Sequence, residues 1–244
     1  QNLSAVNSIN WARIMAQVVY YVSSALSLGA PDRSIAYAVP TGNFGDIFAG
    51  YVASKIGLPI ERLIIGTNTN DILTRFMETG AMDAKDVVPT LSPAMDIQVS
   101  SNFERLLFDL HGRDGRVISQ AMTAFRESGT MTATSAVLDK ARELFSAARL
   151  DDAGIKAQIA ATYKNSGMIV DPHTATGLHA ATVCAPDSSV PVVALSTAHP
   201  AKFPDAVEAA IGVRPSLPSN LADLLERPER LDTLPNDLAM VQAF

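Results

Sequence analysis

The chain has 244 residues, 48% of them hydrophobic, and no uninterrupted apolar run of the roughly eighteen residues needed to cross a bilayer, so a helical membrane protein is excluded and a soluble one is expected. Nineteen Lys and Arg against twenty-five Asp and Glu give a net charge of -6, and no basic cluster interrupts it, which argues against nucleic acid as a partner. The single cysteine, Cys184, excludes an intrachain disulfide and fits a reducing compartment, so a cytoplasmic location is expected.

In chain order, Trp11, Ile14, Val18, Val22 and Ala25 recur at spacings of three and four, which predicts a long helix with one apolar stripe, stopping near Leu28-Gly29-Ala30-Pro31. A strand follows at Ile35–Val39, then the loop "TGNFGD", then a helix from about Asp46 to Ile56 that Gly57 and Pro59 terminate. Leu63-Ile64-Ile65 reads as a second buried strand, followed by a short helix capped by Asn70 or Asp71 and ending at Gly80.

Strand, helix, strand, helix is the signature of a parallel sheet, because parallel neighbours need a crossover connection. The expected fold is therefore α/β, an open and mostly parallel sheet with helices on both faces. Over residues 102–165 the pattern becomes consecutive helical stretches, Phe103–Leu110, Gly115–Arg126, Ala133–Ala148 and Ala153–Lys164, with no strand candidate among them. That predicts a helical insertion within one unit spanning 1–244. Alternation resumes with a helix after "DPHTATG", Asp171 through Gly177, and a buried strand at Val190–Leu195 that ends at Ser196-Thr197. The tail from Arg214 carries Pro215, Pro218, Pro228 and Pro235 and reads as a meandering cover with a short helix near Leu221–Leu225.

The loop "VPTGNFGD", Val39–Asp46, is the most informative stretch. At a strand-to-helix junction the first helical turn leaves N–H groups unpaired, and the peptide dipoles add roughly half a positive charge, which suits a phosphate. Gly42 and Gly45 leave the backbone open to approach, and Thr41 and Asn43 offer side-chain donors. The plain alternative is a tight turn in which the glycines supply unusual dihedrals. The stretch matches neither a P-loop nor a dinucleotide fingerprint. "LSTAHPAKFPDA", Leu195–Ala206, falls at the C-terminal end of a strand, the edge where open α/β sheets bind ligands. "NSINWAR", Asn7–Arg13, gathers amides, a hydroxyl and a guanidinium at a helix start, a second place for an anion unless Asn7 or Ser8 is only a cap. The four histidines have no zinc-site spacing, no serine sits in a nucleophile elbow, and Cys184 in "ATVCAPD" reads as a small, partly buried residue.

The stretches "NSINWARIMAQVVYY", "VPTGNFGDIFAGYVASKIGLPIERLIIGTNTNDIL", "SPAMDIQVSSNFERLLF", "DPHTATG" and "LSTAHPAKFP" resemble the threonine synthase family, in its bacterial and fungal branch. These are pyridoxal-phosphate enzymes of fold type II, like the tryptophan synthase β-subunit. The resemblance implies that Gly42, Asn43, Phe44, Gly45 and Asp46 hold the 5′-phosphate of pyridoxal phosphate, and that Thr197, or else Ser196, lies beside the pyridine nitrogen. It further implies that Asn7, Ser8 and Arg13 contact the phosphate of O-phosphohomoserine, and that His199 supports the cofactor pocket.

The family's Schiff-base lysine lies before the stretch matching "NSINWAR". The six lysines here are Lys55, Lys85, Lys140, Lys156, Lys164 and Lys202, and none has that place. Lys85 reads as solvated surface, and Lys202 stands near the site either to assist with an anion or in a structural role. With Gln1 as first residue, the expectation is the C-terminal portion of the enzyme, inactive alone and partnered by the missing N-terminal portion. A fragment of a β-eliminating dehydratase and a non-catalytic phosphate-binding module are the other readings.

Overall fold

The structure is a computed structural model that describes residues 7–244. Its elements in chain order begin with α1 (Trp11–Ser27), β1 (Ile35–Pro40), α2 (Gly45–Lys55), β2 (Ile60–Thr67), α3 (Ile72–Thr79) and β3 (Ala81–Asp83). They continue with α4 (Phe103–Leu110), α5 (Gly115–Ser128), β4 (Thr130–Thr132), α6 (Ser135–Leu144), β5 (Phe145–Arg149) and α7 (Asp152–Ser166). The last are α8 (Pro172–Cys184), β6 (Val192–Ala194), α9 (Pro204–Ile211) and α10 (Leu238–Ala243).

Four strands form one sheet in the order β5-β2-β1-β6, every pair parallel, and β3 and β4 make a separate antiparallel pair. Successive side chains of a strand point to opposite faces, so each strand feeds two cores. Tyr37, Val39, Leu63, Ile65 and Phe145 enter the large core under α1 to α6, while Ala38, Ile64 and Ala148 meet Ala180 of α8 on the other face. Ile64 apart, the second face is lined by alanines because α8 lies close on it. A Cβ on Gly66 would come 2.8 Å from the Thr176 carbonyl, and one on Gly177 would come 3.0 Å from the Pro40 ring. The expected open parallel sheet with helices on both faces is the fold observed.

Several local expectations are corrected. The buried stripe of α1 is Ile14, Tyr21 and Ala25 with Val18 packed beside them, whereas Trp11 is 45% exposed; Tyr21 is drawn inward by a hydrogen bond to Asp46. The helix expected over Ala133–Ala148 ends at Leu144, and Phe145–Arg149 is β5, so residues 102–165 include a strand of the main sheet. Alternation was masked there because Ser146 and Ala147 are neither large nor charged, and burial on both faces of a parallel strand erases the period-two signal.

The motif "DPHTATG" does not precede a helix but opens one. Asp171 is the N-cap of α8, accepting from the His173 and Thr174 amides, with Pro172 in the first position. The strand expected at Val190–Leu195 is only Val192–Ala194, and as the sheet's edge it is half-buried rather than buried. Asp71 precedes α3 without capping it, since its carboxylate is taken by Arg75 at 2.9 Å and Arg149 at 2.8 Å. The tail has only single 3-10 turns near Leu221–Leu225, and its helix is α10.

Candidate functional site

The chain leaves β1 for β2 and then β5 on one side, and returns to place β6 on the other side of β1. That reversal is the point where open α/β sheets bind ligands, outside the C-terminal ends of the strands. The loops after β1 and β6 meet there at a cavity of about 790 Å³. Its lining includes Asn7, Ser8, Arg13, Gly42, Asn43, Phe44, Gly45, Asp46, Ser196 and Thr197, so the site residues expected from sequence, His199 apart, come to one place.

Within the 41–46 loop the carbonyls are tied back and the amides are not. Ser100 Oγ donates to the Gly42 carbonyl at 2.8 Å, and Asn102 donates to the Asn43 carbonyl through Nδ2 at 2.9 Å and its backbone N–H at 3.1 Å. A peptide is planar and trans, so fixing those carbonyls turns the N–H groups of Asn43 and Phe44 the opposite way. No acceptor among the described residues takes the N–H of Gly42, Asn43, Phe44, Gly45 or Asp46. Such a cluster at the head of α2 is suited to a doubly charged oxyanion, each bond to a charged oxygen contributing about 1.5–3 kcal/mol.

The structure revises the part played by several of these side chains. The left-handed residue is Phe44, at φ 63°, and neither Gly42 nor Gly45 has positive φ. Phe44 is held in that conformation by its ring, which is buried edge-on to Phe103 and against Phe145, so it offers the cavity only backbone. Gly42 is needed where the protein's own backbone comes near, since a Cβ there would sit 2.8 Å from the Ala94 carbonyl, whereas one on Gly45 would meet the Ser8 carbonyl at an ordinary contact distance of 3.4 Å. Thr41 is turned inward, its hydroxyl donating to the Val39 carbonyl at 2.6 Å.

The turn before α1 adds a second group of polar atoms. Its cap is Asn10, which accepts from Ala12 N–H, and Asn7 Oδ1 accepts from Ile9 N–H. Between the two groups lies Asp46. Burial pushes its carboxyl up to about 6, moderated by the Tyr21 hydroxyl and the Arg13 guanidinium. Tyr21 donates to the Asp46 carbonyl at 2.9 Å, and its own titration is driven far up, first by burial and then by that carboxylate.

The head of α8 lies behind the far wall and bonds two residues of that wall, Ala94 and Thr197. Burial would raise the Asp171 carboxyl, but bonds from His173, Thr174 and the His173 amide hold it below the ordinary range. His173 Nδ1 lies 2.8 Å from Asp171, and its Nε2 accepts from the Ala94 N–H at 3.2 Å, which orients the ring and anchors the turn against Gly42. Thr174 Oγ1 bonds Asp171 and accepts from the Thr197 N–H at 3.4 Å, so Thr197 is positioned through its backbone. His199 is not in this wall; it is exposed and caps the turn at Pro200–Lys202. Lys202 is exposed and absent from the lining, and Cys184 is half-buried against the Ala147 carbonyl. Ser100, Asn102, Ala94 and His173 were not expected at the site; the stretch "SSNFER" belonged to the resemblance, but no chemistry pointed to its amide.

The sheet, its reversal and the amide-lined cavity define an open α/β protein with an anion-suited ligand site at its switch point. The family model "Threonine synthase, C-terminal" matches residues 174–244. The threonine synthase of Pseudomonas aeruginosa is 57% identical over 243 residues, 99% of this chain and 52% of that protein. Among solved structures, pyridoxal-phosphate-bound threonine synthase from Brucella melitensis superposes with a TM-score of 0.95 at 54% identity, covering 99% of this chain and 52% of the other. The yeast threonine synthase gives 0.89 at 38% identity, covering 99% and 53%. The chain corresponds to the C-terminal half of the threonine synthase family. It spans about half the length of the relatives it matches. Among the described residues no helix is long and apolar enough to cross a membrane.

Proposed function

We propose that this chain forms the phosphate-binding half of a threonine synthase, which converts O-phosphohomoserine and water to threonine and inorganic phosphate with pyridoxal phosphate as cofactor. The observation that carries the reading is the set of unengaged amides from Gly42 to Asp46 beside a second polar group at Asn7, Ser8 and Arg13. The first fits the cofactor's 5′-phosphate, because tying back the Gly42 and Asn43 carbonyls leaves the loop's backbone donors available to an anion. When bound, pyridoxal phosphate supplies an electron sink for removing phosphate from the γ-carbon and adding water at the β-carbon.

This chain's residues bind and orient. Asn7, Ser8 and Arg13 hold the leaving phosphate of the substrate, the guanidinium neutralising its charge. Thr197, with Ser196 as the other candidate, would offer the bound cofactor's pyridine nitrogen a neutral hydroxyl, which would favour the unprotonated ring. The lysine required for the chemistry comes from outside residues 7–244, since none of this chain's lysines lines the cavity.

A dehydratase has no second phosphate to hold, so Arg13 discriminates. In the full-length protein, Arg13→Ala should raise KM for O-phosphohomoserine by about tenfold or more, the scale of a lost charge-assisted hydrogen bond, while pyridoxal-phosphate affinity changes little. Unchanged KM in a steady-state phosphate-release assay would remove the substrate assignment.

A further inference from the structure

We infer that Asn102 is a positioning residue that sets the spacing between the two anion-binding segments, and hence couples cofactor and substrate binding. The inference rests on the proposed function of the same cavity.

Asn102 stands directly before α4, where an asparagine ordinarily turns its side-chain oxygen to cap the helix. Here it makes no cap. Its side chain is fully buried, and Nδ2 donates to the Ser8 carbonyl at 2.9 Å and to the Asn43 carbonyl at 2.9 Å. Two hydrogens on one nitrogen are what an amide offers and a hydroxyl does not. The orientation of the amide is fixed, because turning it over would place Oδ1 against two carbonyls.

Oδ1 itself is buried and has no partner among the described residues. The side chain thus forgoes a local cap and leaves an acceptor unsatisfied in order to join Ser8 to Asn43. Those residues belong to the turn before α1 and the loop before α2, and both line the cavity. Gly45 lies beside the junction, where a Cβ would sit 3.4 Å from both Nδ2 and the Ser8 carbonyl.

Two neighbours tie one segment each. Ser100 holds only the loop, through the Gly42 carbonyl at 2.8 Å, and Arg105 holds only the turn, through the Ile9 carbonyl at 2.8 Å and by stacking on Trp11. Asn102 alone of these three spans both, so its loss shifts one set of donors relative to the other.

The test measures three quantities in the full-length protein: the Kd for pyridoxal phosphate, and kcat and KM for O-phosphohomoserine at saturating cofactor. Asn102→Ala, and Asn102→Leu, which keeps similar bulk and removes both donors without adding charge, should each raise Kd and KM by about tenfold, with kcat held within about threefold. Ser100→Ala should raise Kd alone, and replacing Arg105 by Leu should raise KM alone. If the Asn102 variants move only one constant or neither, or if either single tether moves both, the inference is overturned. The single-tether variants decide the matter even if the Asn102 variants do not fold. Absence of cofactor binding and turnover in the unmodified protein would instead overturn the proposed function.

Discussion

Asp46 lies at the crossing of the site's two halves, and its environment makes a prediction that does not require a ligand. Its carboxyl is raised by burial to about 6. The folded state therefore holds its proton more tightly than the unfolded chain does. The stability this contributes is complete below the unfolded pKa of 3.8 and is lost as pH rises through about 6, where the group becomes a poorly solvated carboxylate. A change of about two units corresponds to at most about 3 kcal/mol. Asn keeps an acceptor for the Tyr21 hydroxyl but cannot ionise, so Asp46→Asn should be about 1–3 kcal/mol more stable than the parent at pH 7.5 and near-equal to it at pH 4. Urea unfolding at the two pH values checks this, and a gain of equal size at both would contradict the burial account. At this scale the sequence named the cavity's residues well but not their parts. A glycine-asparagine loop announces unsatisfied amides, whereas the inward turn of the Thr41 hydroxyl and the left-handed Phe44 depend on Val39, Phe103 and Phe145, neighbours supplied by the fold.

At the scale of elements, β5 is the strand that sequence pattern hid, and it supports the loop indirectly. Phe145 opens it, pairs with Leu63 of β2, and packs against both Phe44 and Tyr51 with ring centroids 5.7 and 5.9 Å apart. It is 2% exposed. Phe145→Ala would leave a cavity under the residue that carries the loop's positive φ, so a cost of about 3–5 kcal/mol in stability is expected. Phosphate affinity should fall as well, because Phe44 would lose the packing that holds its strained backbone. Chemical denaturation with pyridoxal-phosphate titration of the full-length protein measures both; a loss of stability with unchanged cofactor affinity would separate β5 from the site. The elements that sequence did reveal, α1, β1, α2, β2, α3, α4, α5 and α7, are those whose apolar runs are bounded by glycine, proline or a polar cluster. Those it blurred lack such punctuation or, like α8, begin inside the motif itself: Asp171 is legible as an N-cap only once its carboxylate is seen to accept the His173 and Thr174 amides.

Across the whole molecule, four segments distant in sequence converge on one cavity: the turn before α1, the loop after β1, the turn at Ala94, and the loop after β6. Only the first, second and fourth were readable as sites, because each follows or begins an element at the ligand-binding edge of the sheet. The third is brought in by His173 from the other side, a contact across seventy-nine residues that no local pattern encodes. The assembly supplies donors for anions, a titratable carboxylate and hydroxyls, yet none of this chain's lysines lines the cavity. Binding and chemistry are then separable. The 244-residue chain, purified free of any other part of the enzyme, should release no phosphate from O-phosphohomoserine above the uncatalysed rate. Where it remains folded by circular dichroism, it should still bind pyridoxal phosphate through its phosphate, without the absorbance of an imine and in competition with inorganic phosphate. An imine band on the isolated chain would place a reactive lysine in the cavity and overturn this division of labour; failure of inorganic phosphate to compete would show that the amides of the 42–46 loop are not what holds the cofactor.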